Sequence, residues 1–157
     1  MILDLSLIFA WAQAITSASA ASAANTSSTP PALGIVDTTI ARNLGAGTDK
    51  LYLVVDCTAT MVGAGATITP SLRTSATASG GALTGSPATI LNGSAFAALT
   101  AAGTRQVYVL PPSSSYLQYL DVYLTLASGT LSAGKFSAYI TCDVDMPAYY
   151  AEGFNPN

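Results

Sequence analysis

Apolar and polar residues alternate along much of this chain, and the alternation has a period of two. In Lys50–Thr60 (KLYLVVDCTAT), Leu51, Leu53, Val55, Cys57 and Ala59 share one face. Tyr52, Val54, Asp56, Thr58 and Thr60 share the other. Successive side chains of an extended strand point to opposite faces, so this pattern predicts a half-buried strand. Tyr116–Ala127 repeats it, with Leu120, Val122, Leu124 and Leu126 inward and Tyr119, Asp121, Tyr123 and Thr125 outward. So does Lys135–Asp145, with Phe136, Ala138, Ile140, Cys142 and Val144 inward. Its outward set is Lys135, Ser137, Tyr139, Thr141, Asp143 and Asp145. The Gly-bounded link SGTLSAG predicts that these last two strands pair as an antiparallel hairpin.

Shorter candidates are Gly34–Ile40, Ala66–Thr74, Ala88–Leu91 and Thr104–Leu110. Pro70 cannot donate to a ladder, which predicts an edge or a bulge there. Ser75–Pro87 reads as a long surface loop, and Phe96–Gly103 as a loop or a turn of helix. Several short strands without a long helix predict an all-β fold, a β-sandwich of jelly-roll-like form. Its body spans residues 33–146.

Composition sharpens this picture. Of 157 residues, 50% are apolar and only 8% charged, against about a quarter charged in ordinary soluble domains. So little charge suits a surface that neighbours will cover. The net charge is −3, and the five cations, Arg42, Lys50, Arg73, Arg105 and Lys135, are scattered. Without a basic patch there is nothing to neutralise phosphates, which argues against direct nucleic-acid binding. The apolar run near the N-terminus is too short and interrupted for a membrane helix.

The chain contains no histidine. That removes the commonest general base and the commonest transition-metal ligand. Asp143 and Asp145 share a strand face, but two acids make a poor calcium site. GAGTDK (Gly45–Lys50) lacks the spacing of a phosphate loop. Ser113–Ser115 have no base beside them. The expectation is a non-enzymatic protein with no catalytic residues, cofactor or metal. Cys57 and Cys142 read as two small buried hydrophobes, with a disulfide left open.

The two ends invite contact readings. Ile2–Ile15 is apolar and precedes small residues, as in a secretory signal, but Asp4 stands where such signals carry positive charge. Residues 1–32 therefore read as an arm and linker. Such an arm would grip a neighbour through Leu7, Ile8, Phe9 and Trp11 and could be deleted without unfolding the body. The alternative is a short strand closing the domain's own sheet. Residues 147–157 read as a tail whose Tyr149, Tyr150 and Phe154 dock on a partner or pack over their own sandwich. Tyr119, Tyr123 and Tyr139 would form an aromatic ridge if their strands pair, and exposed ridges of that kind meet partners.

Several stretches carry a resemblance. They are AQAIT (Ala12–Thr16), ARNLGAGTDKLYLVV (Ala41–Val55), GAGATITPSLRTS (Gly63–Ser75), YLQYLDVYLTLASGTLSAGKFSAYITCDVD (Tyr116–Asp145) and YAEGF (Tyr150–Phe154). In this order they resemble the capsid cement, or decoration, proteins of podophages of the Bordetella-phage type. The chain departs from that family in a longer linker, SAANTSSTPPALG, and in its two cysteines. The resemblance implies a jelly-roll-like fold on the outer surface of a virion. It implies binding to the phage major capsid protein, bridging of its subunits, and self-association as a dimer or trimer at symmetry axes. Assembly would take place in the host cytoplasm. The alternative from another class is a secreted or virion-surface adhesin or carbohydrate-binding module. A shell or pilin-like subunit is a further rival.

Overall fold

The computed structural model describes residues 7–14, 34–40, 44, 50–112, 116–129, 131–142 and 144. Its strands in chain order are β1 (Ile8–Ala14), β2 (Val36–Asp37), β3 (Tyr52–Gly63), β4 (Thr67–Ser75), β5 (Thr77–Ser79), β6 (Ala82–Thr84), β7 (Ala88–Asn92), β8 (Arg105–Val109), β9 (Tyr119–Ala127) and β10 (Leu131–Thr141). Eight of them form two four-stranded antiparallel sheets, ordered β1-β10-β3-β8 and β2-β9-β4-β7. Apart from the small β5–β6 hairpin and the return to β7, each connection carries the chain from one sheet to the other. This is the interleaved order of a jelly roll, as the strand pattern predicts.

The core lies between the sheets. The first sheet contributes Phe9, Leu53, Val55, Cys57, Met61, Phe136, Ala138 and Ile140. The second contributes Val36, Ile68, Leu72, Leu120, Val122, Leu124 and Leu126. These are the inward phases of the alternation, so sequence period and sheet face agree. Phe96 reaches into the same core from the loop before β8 and meets Phe136 edge to face, with ring centroids 5.2 Å apart. Tyr116 fills the entry to β9. Its hydroxyl donates to the Pro111 carbonyl at 2.9 Å, and burial pushes its pKa up to about 12.

The last two long strands do not form a hairpin. β9 pairs with β2 and β4, whereas β10 pairs with β1 and β3. In a jelly roll, strands consecutive in sequence face each other across the core, so a short Gly-containing link becomes a corner between sheets.

The expected loop at Ser75–Pro87 holds a hairpin instead. Gly80 and Gly81 have φ of 60° and 78°, the double left-handed turn that joins two antiparallel strands tightly.

Pro70 lies in β4, which is flanked on both sides by β9 and β7, not at an edge. It pairs with Leu124 of β9, while its carbonyl accepts from Gly93 N on the other side at 2.7 Å. A strand residue's N–H and C=O point the same way, so the missing donor faces the loop beyond β7 and costs β9 nothing.

The cysteines are free, Cys57 buried and Cys142 exposed. Cys57 lies opposite Phe136, and Cys142 is six positions further along. At about 3.3 Å per residue that separation is roughly 20 Å, well beyond the reach of a disulfide. Because β10 ends at Thr141, Cys142 also falls off the apolar phase expected of it.

Gly93 marks a tight approach. A Cβ there would sit 2.7 Å from Tyr108 Oη, 2.8 Å from Pro70 Cγ and 2.9 Å from the Pro70 carbonyl. Gly93→Ala should therefore destabilise by about 1–3 kcal/mol through overpacking. Chemical denaturation monitored by Trp11 and tyrosine fluorescence checks this; an unchanged midpoint would mean that the loop yields freely.

Candidate interaction surface

The outer face of the first sheet is apolar for a geometric reason. Ile8 lies opposite Tyr139, Tyr139 opposite Val54, and Val54 opposite Val107. Directly opposed residues share a face, so these four form one row across all four strands. Val54 and Tyr139 are only 1% and 3% exposed although they point away from the core. Ile8, Val54 and Tyr139 form a second hydrophobic cluster, and Val144 packs against it. Burial raises the pKa of the Tyr139 hydroxyl; Arg105 pulls it down and Asp56 pushes it up, both more weakly. The next row runs through Ser137, Asp56 and Arg105. There the Arg105 guanidinium stands 3.5 Å from Asp56 Oδ2.

Strand β1 ends this face and breaks its own period. Phe9 points into the core, so strict alternation would send Trp11 after it. The β1–β10 register slips between Ala10 and Gln13, and Ala12 takes a φ of 48°. The Ala12 N–H finds Ser137 Oγ at 2.8 Å. Bulges on edge strands re-aim side chains, and here Trp11 is left 56% exposed.

The outer face of the second sheet is built differently. Arg73 of β4 lies opposite Asp121 of β9. Its Nε donates to Oδ1 at 3.0 Å and its Nη2 to Oδ2 at 2.5 Å, a bidentate pair. The same guanidinium stacks over the Tyr123 ring, 3.7 Å from its centroid. The β5–β6 hairpin is tied down beside this cluster. Ser75 Oγ donates to the Thr84 carbonyl at 2.6 Å, and β6 touches both β4 and β9. Asp121 is buried, and its pKa is raised by desolvation against the opposing pull of Arg73.

The sequence profile of the Bbp16 family matches residues 9–140, from the second residue of β1 to the penultimate residue of β10. The chain belongs to the Bbp16 family. Bbp16 is a phage-type family, and the match takes in both sheets of the sandwich. A search of curated proteins finds no match to the chain.

On this Bbp16 fold the ten residues expected to make contacts scatter. Leu7 packs against the main core and Phe9 lies within it. Ile8 belongs to the outer cluster with Tyr139. Trp11 alone of the N-terminal four is prominently exposed. The stretch 8–14 is thus a strand of the protein's own sheet, the second of the two readings offered for it. Tyr119 and Tyr123 share the outer face of the second sheet, but Tyr139 is on the opposite side of the sandwich. The three do not make one ridge, because their strands never pair. Tyr149, Tyr150 and Phe154 lie outside the described residues.

Sequence reasoning missed the exposed Val107 and Val109 of β8, and the Arg73–Asp121 pair. The second had a signal: each is a charge set inside an otherwise uncharged strand.

Proposed function

We propose that this phage-type protein is a capsid cement subunit. It binds the outside of the assembled shell and bridges neighbouring copies of the major capsid protein, associating with further copies of itself. Its role is structural and non-enzymatic. Membership of the Bbp16 family and the jelly-roll sandwich support the reading. The observation that carries it is Trp11, a large aromatic that a bulge turns outward on an edge strand. Tryptophan is enriched among the few side chains that dominate interface energies. Tyr119 and Tyr123 offer a second contact on the opposite face. Many such modest contacts, repeated over a closed shell, raise the cost of opening it.

Deleting residues 1–15 is not a clean test, because it would strip Phe9 from the core and β1 from the sheet. Trp11→Ala is cleaner. Folding stability should change by no more than about 0.5 kcal/mol, as for an exposed site. Affinity for purified undecorated capsids should fall by about 30-fold, the scale of an interfacial hot spot. Co-sedimentation with capsids measures this. If the unaltered protein leaves capsids bare at saturating concentration, the cement reading fails.

A further inference from the structure

The edge strands of the two large sheets are not alike. β1 slips register twice against β10, β2 is two residues long, and β7 slips once against β4. β8 is regular. Its five residues pair with β3 without a slip, and no strand among those described flanks its other side. Proteins blunt open edges with bulges, prolines, charges or very short strands. β8 (RQVYV) has no bulge and no proline, and its one charge, Arg105, leans back to Asp56 of β3 at 3.5 Å.

The backbone of β8 turns half of its polar groups outward. Leu110 N donates to the Leu51 carbonyl at 2.8 Å, and Cys57 N to the Thr104 carbonyl at 2.9 Å. Both bonds keep the register of β3 on β8. Hydrogen-bonded and non-bonded pairs alternate along an antiparallel ladder. Gln106 and Tyr108 therefore bond to β3, while Arg105, Val107 and Val109 aim both N–H and C=O at the open side. The same three residues carry the exposed side chains of the strand, Val107 at 36% and Val109 at 50%. Unpaired ladder groups and exposed apolar side chains thus coincide on one regular edge.

We propose that β8 pairs antiparallel with β8 of a second copy about a two-fold axis at Val107, joining the two first sheets into one continuous sheet. The strand is self-complementary in that register. Val107 opposes the partner's Val107, and Arg105 opposes the partner's Val109. Each such pair exchanges two hydrogen bonds. The two arginines stand about 13 Å apart along the strands, more than a Debye length at physiological salt, so no like charges meet. A strand from another protein would need the same outward phase and an uncharged residue at the centre; a second copy has both by symmetry. The contact also closes on itself, because each copy uses its regular edge and the assembly stops at two. This deepens the self-association included in the cement reading. It is nevertheless a property of the free chain, and it can fail while capsid binding stands.

Sedimentation equilibrium and amide hydrogen exchange by NMR, both on the full chain, test it. The expected result is a dimer that forms below about 1 mM. Exchange at the Arg105, Val107 and Val109 amides should slow about tenfold when about nine-tenths of the chain is paired, because only open edges exchange. The Gln106 and Tyr108 amides, already bonded to β3, should be protected at every concentration. Val107→Lys sets two cations against each other at the axis and should weaken the dimer by about 30-fold or more, whereas Val107→Thr should keep it. A chain dimeric at every concentration is compared with Val107→Lys as the monomer. If that variant perturbs the fold, Val109→Lys, which meets the partner's Arg105, takes its place. Absence of a dimer up to about 1 mM would overturn the proposal. So would a dimer that leaves the three outward amides exchanging as fast as in the monomer, or one that the lysine variants leave intact, since either would use another surface.

Discussion

Replacing Arg73 with alanine should cost about 3–5 kcal/mol of folding stability, the usual penalty for breaking a buried ion pair from one side. The asymmetry of the pair sets the size. Asp121 is 1% exposed and Arg73 19%, so the arginine can still find water while the aspartate cannot. Removing Arg73 also takes the guanidinium from the Tyr123 ring. Asp121→Asn should be milder, because a neutral amide leaves no buried charge and Arg73 keeps its exposed edge.

The pH dependence gives the mechanism a separate check. Burial already holds the Asp121 pKa above its ordinary value while Arg73 pulls it down. Without Arg73 the folded-state pKa must rise further above that of the unfolded chain. An acid with a raised folded pKa is penalised where it must ionise, and relieved as pH falls through that pKa. The Arg73→Ala deficit should therefore be largest at neutral and alkaline pH and shrink on acidification. Urea unfolding of both proteins across the range from pH 8 to pH 4 measures it. A deficit independent of pH would assign the loss to packing of the arginine stem and not to the stranded carboxylate.

Phe136→Ala should be about as damaging, at about 3–5 kcal/mol for a buried phenylalanine. Phe136 lies on β10 opposite Cys57 and packs edge to face on Phe96. Truncation leaves a cavity bounded by two sheets and a loop, and the long β3–β10 pairing limits how far the walls can close. Phe136→Leu should recover much of the loss. Equilibrium denaturation of the two variants checks the order. Similar stabilities for Ala and Leu would mean that the core collapses around the smaller residue.

The elements of this fold were legible in the alternation because one face of each long strand is buried. Leu53, Val55, Leu120, Val122 and Phe136 all lie where period two puts them. The pairing was not legible. The Ser128–Gly134 link reads as a hairpin loop, and nothing local to it says that β3 and β1 will claim both edges of β10. That choice is made by long-range pairing over much of the chain. The β5–β6 hairpin was missed although its Gly80-Gly81 turn was in view, because its strands are three residues each and carry little apolar pattern. At the candidate surface the structure leaves Trp11 of the apolar N-terminal run exposed and buries Ile8 and Phe9. Composition marks an apolar N-terminal run, but a bulge decides which of its residues turns outward. Val107 and Val109 went unremarked because a five-residue strand gives no hint of which side its neighbour lies on.

The sheet order has a consequence for synthesis. β10 occupies an interior position in the first sheet, between β1 and β3, yet among the described strands it is made last. A ribosome releasing about 5–20 residues per second exposes β1 and β3 well before the strand that joins them exists. Until then the nascent chain has an incomplete first sheet and only half of a core. Such long-range topologies fold slowly, and the first sheet is complete only once β10 arrives between β1 and β3. A product cut short before Leu131 lacks the strand that joins β1 to β3, so its first sheet stays open.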